Sequence, residues 1–357
     1  MPQLAGIWTQ MPNYIRRISW RCPGLNASIL SVGAFVPPGV MTNFDLPDTL
    51  DTNDEWIQTR TGIRQRHVAG PEETTASISA IAAERALKAL GMDPREVDWI
   101  LLCTDTPEMW SPATACFVQD AIGARYASAI DLTGGCAGFL QTMEIADKMA
   151  QAGSTVLVIG TEVLTKALDW TDRATAVLFG DGSGAIVVAP SEDGIRIRHA
   201  RSQSDGSQAD ILCKPYGGTR HAITTQLVAE GHLHSIRMEG QRVFKRAVQD
   251  MGNLGVRVLQ EMGLTANQID WVIPHQANQR IIDAVAHHAG IIKERVFSHV
   301  AKYANTGSAS IVIALADMVR NGLVKPGQNL LTVAFGSGFS WGAQLWKVNQ
   351  VPPAIFE

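Results

Sequence analysis

The sequence predicts an α/β fold of two similar halves, on two observations. Short β-branched apolar runs bounded by Gly, Pro or Asp alternate with longer stretches of helical periodicity. The chain also repeats itself: LGMDPREVDWILLC at 90–103 lines up without a gap on MGLTANQIDWVIPH at 262–275, each reading as helix end, turn and strand. Further on, EIADKMAQAGSTVLVIG corresponds to ALADMVRNGLVKPGQNLLTVAFG, again helix then strand.

Strands are expected in SILSVGAFV, WILLC, STVLVIG, AIVVA, DWVIPH and LLTVAFG. Helices are expected at 75–91, 116–122, 138–151, 241–262, 278–289 and 308–321, with Gly close after several ends. Alternation of this kind implies a mainly parallel sheet. The chain divides into an N-terminal arm at 1–26, a first half at 27–199, a polar, Gly-containing connection at 200–231 and a second half at 232–357. A cleft between two such halves is a natural place for a site.

With 46% hydrophobic and 18% charged residues over 357 positions, the composition is that of a soluble globular protein. A net charge of -4 gives no overall attraction to nucleic acid or anionic lipid. Cys22, Cys103, Cys116, Cys136 and Cys213 are odd in number and form no C-x-x-C pair, so neither a disulfide framework nor a metal site is expected. The start lacks the pattern of an export signal, and no apolar run reaches the ~18 residues of a membrane span. A reducing, cytoplasmic setting is the expectation.

Cys136 lies in DLTGGCAGFLQTM, where a strand ends, two glycines allow a tight turn and a helix begins. The helix N-terminus favours an anion, so it should lower the thiol pKa and hold a developing oxyanion. A lone Cys beside such a turn is more often just a small buried residue. His275 ends the second copy of the repeated strand, and Asn305, in KYANTGSAS, occupies the turn before the last predicted helix. Alone, each reads as a hydrogen-bonded loop residue or a turn former. Together they are more specific, because the duplication puts Cys136 and Asn305 at the starts of equivalent helices and His275 at the end of an equivalent strand. FGDGSGA at 179–185 lacks the helix and the Gly-Lys-Ser/Thr of nucleotide loops and reads as a tight turn. DTNDEW at 51–56 reads as a helix start capped by Thr52 or Asn53.

In order and spacing, DTNDEWIQTRTGIRQRHVA, the Cys136 segment, VIPHQANQRII, KYANTGSAS and AFGSGFSWGA resemble the β-ketoacyl-[acyl carrier protein] synthase III family, from about Ser28 to Val348. The resemblance implies a thiolase-like fold of five layers, αβαβα, and a two-stage reaction without a cofactor. Cys136 would take an acyl group from acyl-CoA. His275 and Asn305 would then stabilise malonyl-acyl carrier protein as it loses carbon dioxide and condenses. By the same resemblance the backbone N–H groups of Cys136 and Ser337 form the oxyanion site. Trp56, Arg173 and Arg60 match positions around CoA, Gly240 and Asn278 line the pantetheine arm, and Lys245 and Arg280 meet the acidic carrier protein. Ser111 and Phe179 belong to the acyl pocket, with Ser111 standing where a bulky aromatic limits primer length in enterobacterial relatives. A homodimer is implied. The same residues also suit a starter-unit enzyme of a polyketide or quinolone pathway, an acyltransferase acting on a hydroxyl or amine, or a non-catalytic scaffold for CoA or carrier protein.

Overall fold

The computed structural model describes residues 26–231 and 236–356, so the expected arm lies outside the described residues apart from Asn26. The strands are β1 (Ala27–Phe35), β2 (Gly39–Thr42), β3 (Gln65–Val68), β4 (Trp99–Cys103), β5 (Ser128–Leu132), β6 (Val156–Glu162), β7 (Gly182–Pro190), β8 (Ile195–Ser204), β9 (Leu212–Cys213), β10 (Arg237–Met238), β11 (Trp271–Pro274), β12 (Asn329–Gly336), β13 (Ser340–Val348) and β14 (Ala354–Phe356). The helices of eight residues or more are α1 (Asp54–Thr61), α2 (Thr75–Leu90), α3 (Thr114–Ala121), α4 (Gly138–Gln151), α5 (Gly240–Glu261), α6 (Gln279–His288) and α7 (Ser310–Arg320).

Local signals account for the boundaries. Asn53, one of the two expected caps, accepts the Trp56 N–H at 2.8 Å and starts α1, with Asp54 and Glu55 against the positive helix end. Both copies of the repeat fold alike. Gly91 and Gly263 each take a left-handed conformation (φ 65° and 66°), a short 3-10 turn follows at Pro94–Glu96 and Ala266–Gln268, and β4 or β11 comes next.

The main sheet runs β5-β4-β6-β7-β1-β8-β13-β12-β11, with β14 parallel to β1. Its two ends mirror each other: β4 pairs parallel with β6 as β11 does with β12, and β6 pairs antiparallel with β7 as β12 does with β13. Within the sheet the two ends are linked where Ser28 and Ile29 of β1 pair with Arg196 and Ile195 of β8. The expected mainly parallel sheet is therefore mixed. β13 follows β12 after three residues, too few for a crossover helix, and so must run antiparallel to it, and β8 pairs antiparallel with both β13 and β1. The Gly182-Ser183-Gly184 run, expected in a turn, lies in the β7 ladder, and α7 packs against it closely enough that a Cβ on Gly184 would fall 2.4 Å from Val312.

Helices α4 and α7 contact strands of both sheet halves, α2 and α3 cover the outer face of one half, and α5 and α6 lie over the other. This is the five-layered arrangement. Alternation along the strands sorts the core: Leu101 and Val158 face the central helices, whereas Ile100, Leu102, Leu157 and Ile159 face α2 and α3. Buried on both faces, these strands read as continuous apolar runs. Helix α7 is buried from Ser310 to Met318, as a central-layer helix has to be.

Candidate active site

Cys136 sits in a 3-10 turn, Gly135–Ala137, directly before α4. Gly135 takes φ 60°, a conformation glycine adopts without strain. The turn docks on the end of β12: a Cβ on Gly336 would lie 2.4 Å from the Cys136 nitrogen, and one on Gly135 would lie 2.5 Å from the Ser337 nitrogen. The backbones of Cys136 and Ser337 are thus side by side, and both residues line one cavity of about 520 Å³. The expected low thiol pKa is corrected by its surroundings. Burial pushes the Cys136 thiol up, and the carboxyl groups of Asp105 and Glu162 add to the effect against the pull of the helix start.

His275 follows the last residue of β11 and is 2% exposed. Its N–H donates to Val333 O at 2.8 Å, and its Nδ1 lies 2.7 Å from Ser310 Oγ at the start of α7. Burial holds the ring pKa down at about 3, so His275 is a neutral imidazole in ordinary buffers. The Ser310 oxygen is also within 3.4 Å of the Gln276 N–H. With Ser310 accepting that N–H and donating to Nδ1, the ring proton falls on Nε2. Asn305 is fixed by a bridge to the 178–180 segment: its N–H donates to Leu178 O, and Gly180 N–H donates to its carbonyl, both at 3.0 Å. Its Oδ1 accepts the Gly307 N–H at 2.9 Å, which leaves the amide Nδ2 as its donor. His275 and Asn305 line the cavity with Cys136.

Two carboxyl groups complete the inner wall. Glu162 ends β6 and is 1% exposed; it accepts hydrogen bonds from Ser308 Oγ at 2.9 Å, Thr106 Oγ1 at 3.0 Å and the Asp105 N–H at 3.1 Å. Asp105 accepts the Gly135 N–H at 3.3 Å and also bonds the Ser337 side chain. Burial and the neighbouring Asp105 push Glu162 up to about 8, and burial raises Asp105 as well. Neither residue stands out in the sequence, although Asp105 lies two positions after the strand that the repeat equates with the one leading to His275.

The other expected site residues divide. Arg60, Phe179, Gly240, Asn278 and Arg280 line the same cavity. Asn278 caps α6 by accepting the Arg280 N–H at 2.8 Å, and its Nδ2 donates to Arg60 O at 3.1 Å. Trp56 and Arg173 lie outside the lining but against each other, the guanidinium 5.0 Å from the ring centre. Lys245 is exposed on α5, while Arg280 packs over Phe244 at 5.6 Å. Ser111 is exposed and does not line the cavity. Its neighbours Met109 and Trp110 line a second cavity of about 620 Å³, which shares Asp105, Thr106, Ala167 and Lys214 with the first. Among the described residues no group of three His, Cys, Asp or Glu could hold a metal ion, and no helix is long and apolar enough to cross a membrane.

The family model described as 3-oxoacyl-[acyl-carrier-protein (ACP)] synthase III matches residues 130–206, and the one described as 3-oxoacyl-[acyl-carrier-protein (ACP)] synthase III C terminal matches residues 259–348. The beta-ketoacyl-[acyl-carrier-protein] synthase III of Caldanaerobacter subterraneus subsp. tengcongensis is 44% identical over 328 residues, 91% of this chain and 99% of that protein. The chain belongs to this family of condensing acyltransferases. The solved synthase III of Aquifex aeolicus is 42% identical, with a TM-score of 0.82 over 90% of this chain and 99% of its own. The priming β-ketosynthase of the R1128 polyketide pathway is 34% identical, with a TM-score of 0.84 over 94% and 100%. The thiolase-like fold expected from the sequence is the fold of these synthase III structures.

Proposed function

We propose that the chain condenses an acyl primer from acyl-CoA with malonyl-acyl carrier protein to give 3-oxoacyl-acyl carrier protein, the opening step of fatty acid synthesis. The observation that carries this reading is the single cavity lined by Cys136, His275 and Asn305, with the His Nδ1 and Asn Oδ1 already engaged elsewhere. In the first stage Cys136 sulfur attacks the thioester carbonyl, the backbone N–H groups of Cys136 and Ser337 hold the oxyanion, and CoA leaves as its thiol with the cysteine proton. In the second, carbon dioxide leaves the malonyl group while Nε2–H of His275 and the Nδ2 amide of Asn305 donate to the thioester oxygen, which becomes the enolate. The enolate carbon attacks the acyl carbonyl and expels the Cys136 thiolate. A neutral histidine suits this work because it donates a hydrogen bond without surrendering its proton.

Trp56, Arg173 and Arg60 are assigned to CoA, whose adenine would stack on the Trp–Arg pair. Gly240 and Asn278 are assigned to the pantetheine arm, Phe179 to the acyl group, and Lys245 and Arg280 to the acidic carrier protein, whereas Ser111, off the cavity, receives no role within this chain's own pocket. A homodimer fits the exposed side chains of Trp110, Phe117 and Ile130, the last on β5 at the open edge of the sheet. A cytoplasmic location belongs to the same reading.

The test is intact-mass analysis after incubation with acyl-CoAs from acetyl to dodecanoyl, with Cys136→Ala as control, followed by addition of malonyl-acyl carrier protein. An adduct lost in Cys136→Ala and discharged with carbon dioxide release is the expected result; no adduct on folded protein overturns the reading. The likeness to a polyketide priming enzyme favours one alternative, a starter-unit role. Preference for a primer other than acetyl would support it.

A further inference from the structure

A fully buried charge, that of Arg66, has no part in the reaction just derived. Arg66 lies on β3 and is 0% exposed, and its Nε and Nη1 have no hydrogen-bond partner. Nη2 carries the contacts: it donates to Val177 O at 2.9 Å and to Asn43 Oδ1 at 3.0 Å. Asn43 is itself fixed, because its Nδ2 donates to Ile63 O at 2.8 Å and to Asp54 Oδ1 at 2.9 Å. A hydrogen bond from a charged donor is stronger than a neutral one, and burial keeps water from competing for it. Arg66 therefore holds the Val177 carbonyl firmly.

Val177 opens the segment against which Asn305 is set. β3 grips this segment at both ends, Arg66 through Val177 O and His67 through its own carbonyl, which accepts the Asp181 N–H at 2.9 Å. Between the two grips lie Leu178 O and the Gly180 N–H, the groups bonded to the backbone of Asn305. The fit leaves little slack: a Cβ on Gly180 would fall 3.0 Å from Arg66 Cβ and 2.8 Å from Tyr303 O. Gly180 is thus pressed between β3 and the chain that leads into Asn305.

We infer that Arg66 is a positioning residue for Asn305: its bond to Val177 O fixes the 177–181 segment, and that segment sets where the Asn305 amide points during condensation. The inference rests on the reading of Asn305 as a donor to the thioester oxygen. A hydrogen-bond donor loses its effect when displaced by a fraction of an ångström, whereas the apolar wall that Leu178 and Phe179 add to the cavity tolerates such a shift. Loosening the grip should slow condensation and spare acylation of Cys136.

The test follows full-length protein by intact mass through two single-turnover steps, charging of Cys136 by the acyl-CoA that labels it best and discharge by saturating malonyl-acyl carrier protein. Arg66→Met keeps a buried stem and removes every donor; its discharge should slow about tenfold, as a misplacement of well under an ångström implies, with charging within about twofold of native. Arg66→Lys, which keeps the charge but not the fork, should lose about threefold. The deciding comparison is made in an Asn305→Ala background, where no amide remains to be positioned: there Arg66→Met should slow discharge by less than about twofold further. A residue that merely supports the fold costs the same factor in both backgrounds. Equal losses in both backgrounds, an equal slowing of charging and discharge, or native discharge by folded Arg66→Met would overturn the inference and leave the reading of Asn305 standing. If Asn305→Ala itself discharges at the native rate, that reading falls and the inference with it. Thermal melts identify which variants are folded, and Arg66→Lys carries the same comparison if Arg66→Met is not.

Discussion

In one half of the molecule the turn Gly135–Ala137 precedes α4 and rests on Gly336 of β12; in the other the turn Gly307–Ala309 precedes α7 and rests on Gly160 of β6, where a Cβ would lie 2.6 Å from Ser308 O. Each half therefore lends its strand end to the turn of its counterpart. The backbones match closely, with Gly135 at φ 60° and Gly307 at φ 54°. What occupies the next position differs. In the first turn it is Cys136, on the cavity; in the second it is Ser308, 1% exposed and bonded to Glu162 and Cys103 O. Two helix-start turns of matching backbone thus face each other, one presenting a thiol to the cavity and the other tucking a hydroxyl against Glu162.

The largest effect expected from breaking this asymmetry is at Cys136 itself. Cys136→Ala should reduce acyl-enzyme formation to background in the intact-mass assay. Adding Ser308→Cys to that variant should not restore an adduct, because the second position is turned into the Glu162 cluster rather than onto the cavity. An adduct on the introduced thiol would show that the two turns are chemically interchangeable.

The next effect separates the halves by reaction stage. His275→Ala and Asn305→Ala should each lower condensation by about 10²- to 10³-fold, the usual cost of removing one preorganised oxyanion donor. Acylation of Cys136 should stay within a few-fold of native. Equal losses in both stages would place His275 or Asn305 in the first chemistry as well.

A smaller loss is expected at Ser310, which touches no reacting atom in the proposed mechanism. Ser310→Ala frees the His275 ring to change tautomer or swing. Condensation should fall about five- to tenfold, as the loss of ~1–1.5 kcal/mol of hydrogen-bond orientation implies, and Ser310→Thr should recover most of it. Rates of acylation measured alongside should not change; if they fall equally, the defect is in folding and not in the imidazole.

Legibility in the sequence followed the same division between backbone and environment. Cys136, His275 and Asn305 are readable because a glycine turn, a repeated strand end and a repeated helix start leave marks in the order of residues. Strands β8 and β13 leave no such mark. IRIRHARSQS carries much of its polar surface outward, and SWGAQLWKV buries Gln344, which is satisfied by bonds to Leu140 O and Trp346 Nε1. Asp105, Glu162 and Ser310 escape notice for a different reason. Each is an ordinary polar residue at a strand or helix end, and its importance depends on partners that lie 30 to 146 positions away in sequence. The raised thiol of Cys136 has the same origin.

The smallest predicted effect concerns stability against pH, where the two halves should pull in opposite directions. His275 has a folded pKa of about 3 against 6.5 in the unfolded chain, so below pH 6.5 the unfolded state takes up a proton that the folded state refuses. Its contribution to stability is present above pH 6.5 and is lost as pH falls toward 3, by at most ~1.4 kcal/mol per pH unit. Glu162 behaves inversely. Its folded pKa of about 8 against 4.5 means that its contribution is present below pH 4.5 and is lost as pH rises toward 8. Between pH 4.5 and 6.5 the two slopes oppose each other, and the native melting temperature should be nearly flat there compared with either variant. Glu162→Gln should tilt that stretch upward with pH and remove the decline between 6.5 and 8. His275→Asn should tilt it downward and soften the fall below 4.5. Melting curves of all three proteins from pH 3.5 to 8.5 measure both tilts, and parallel profiles would mean that neither group changes its protonation differently in the folded and unfolded states.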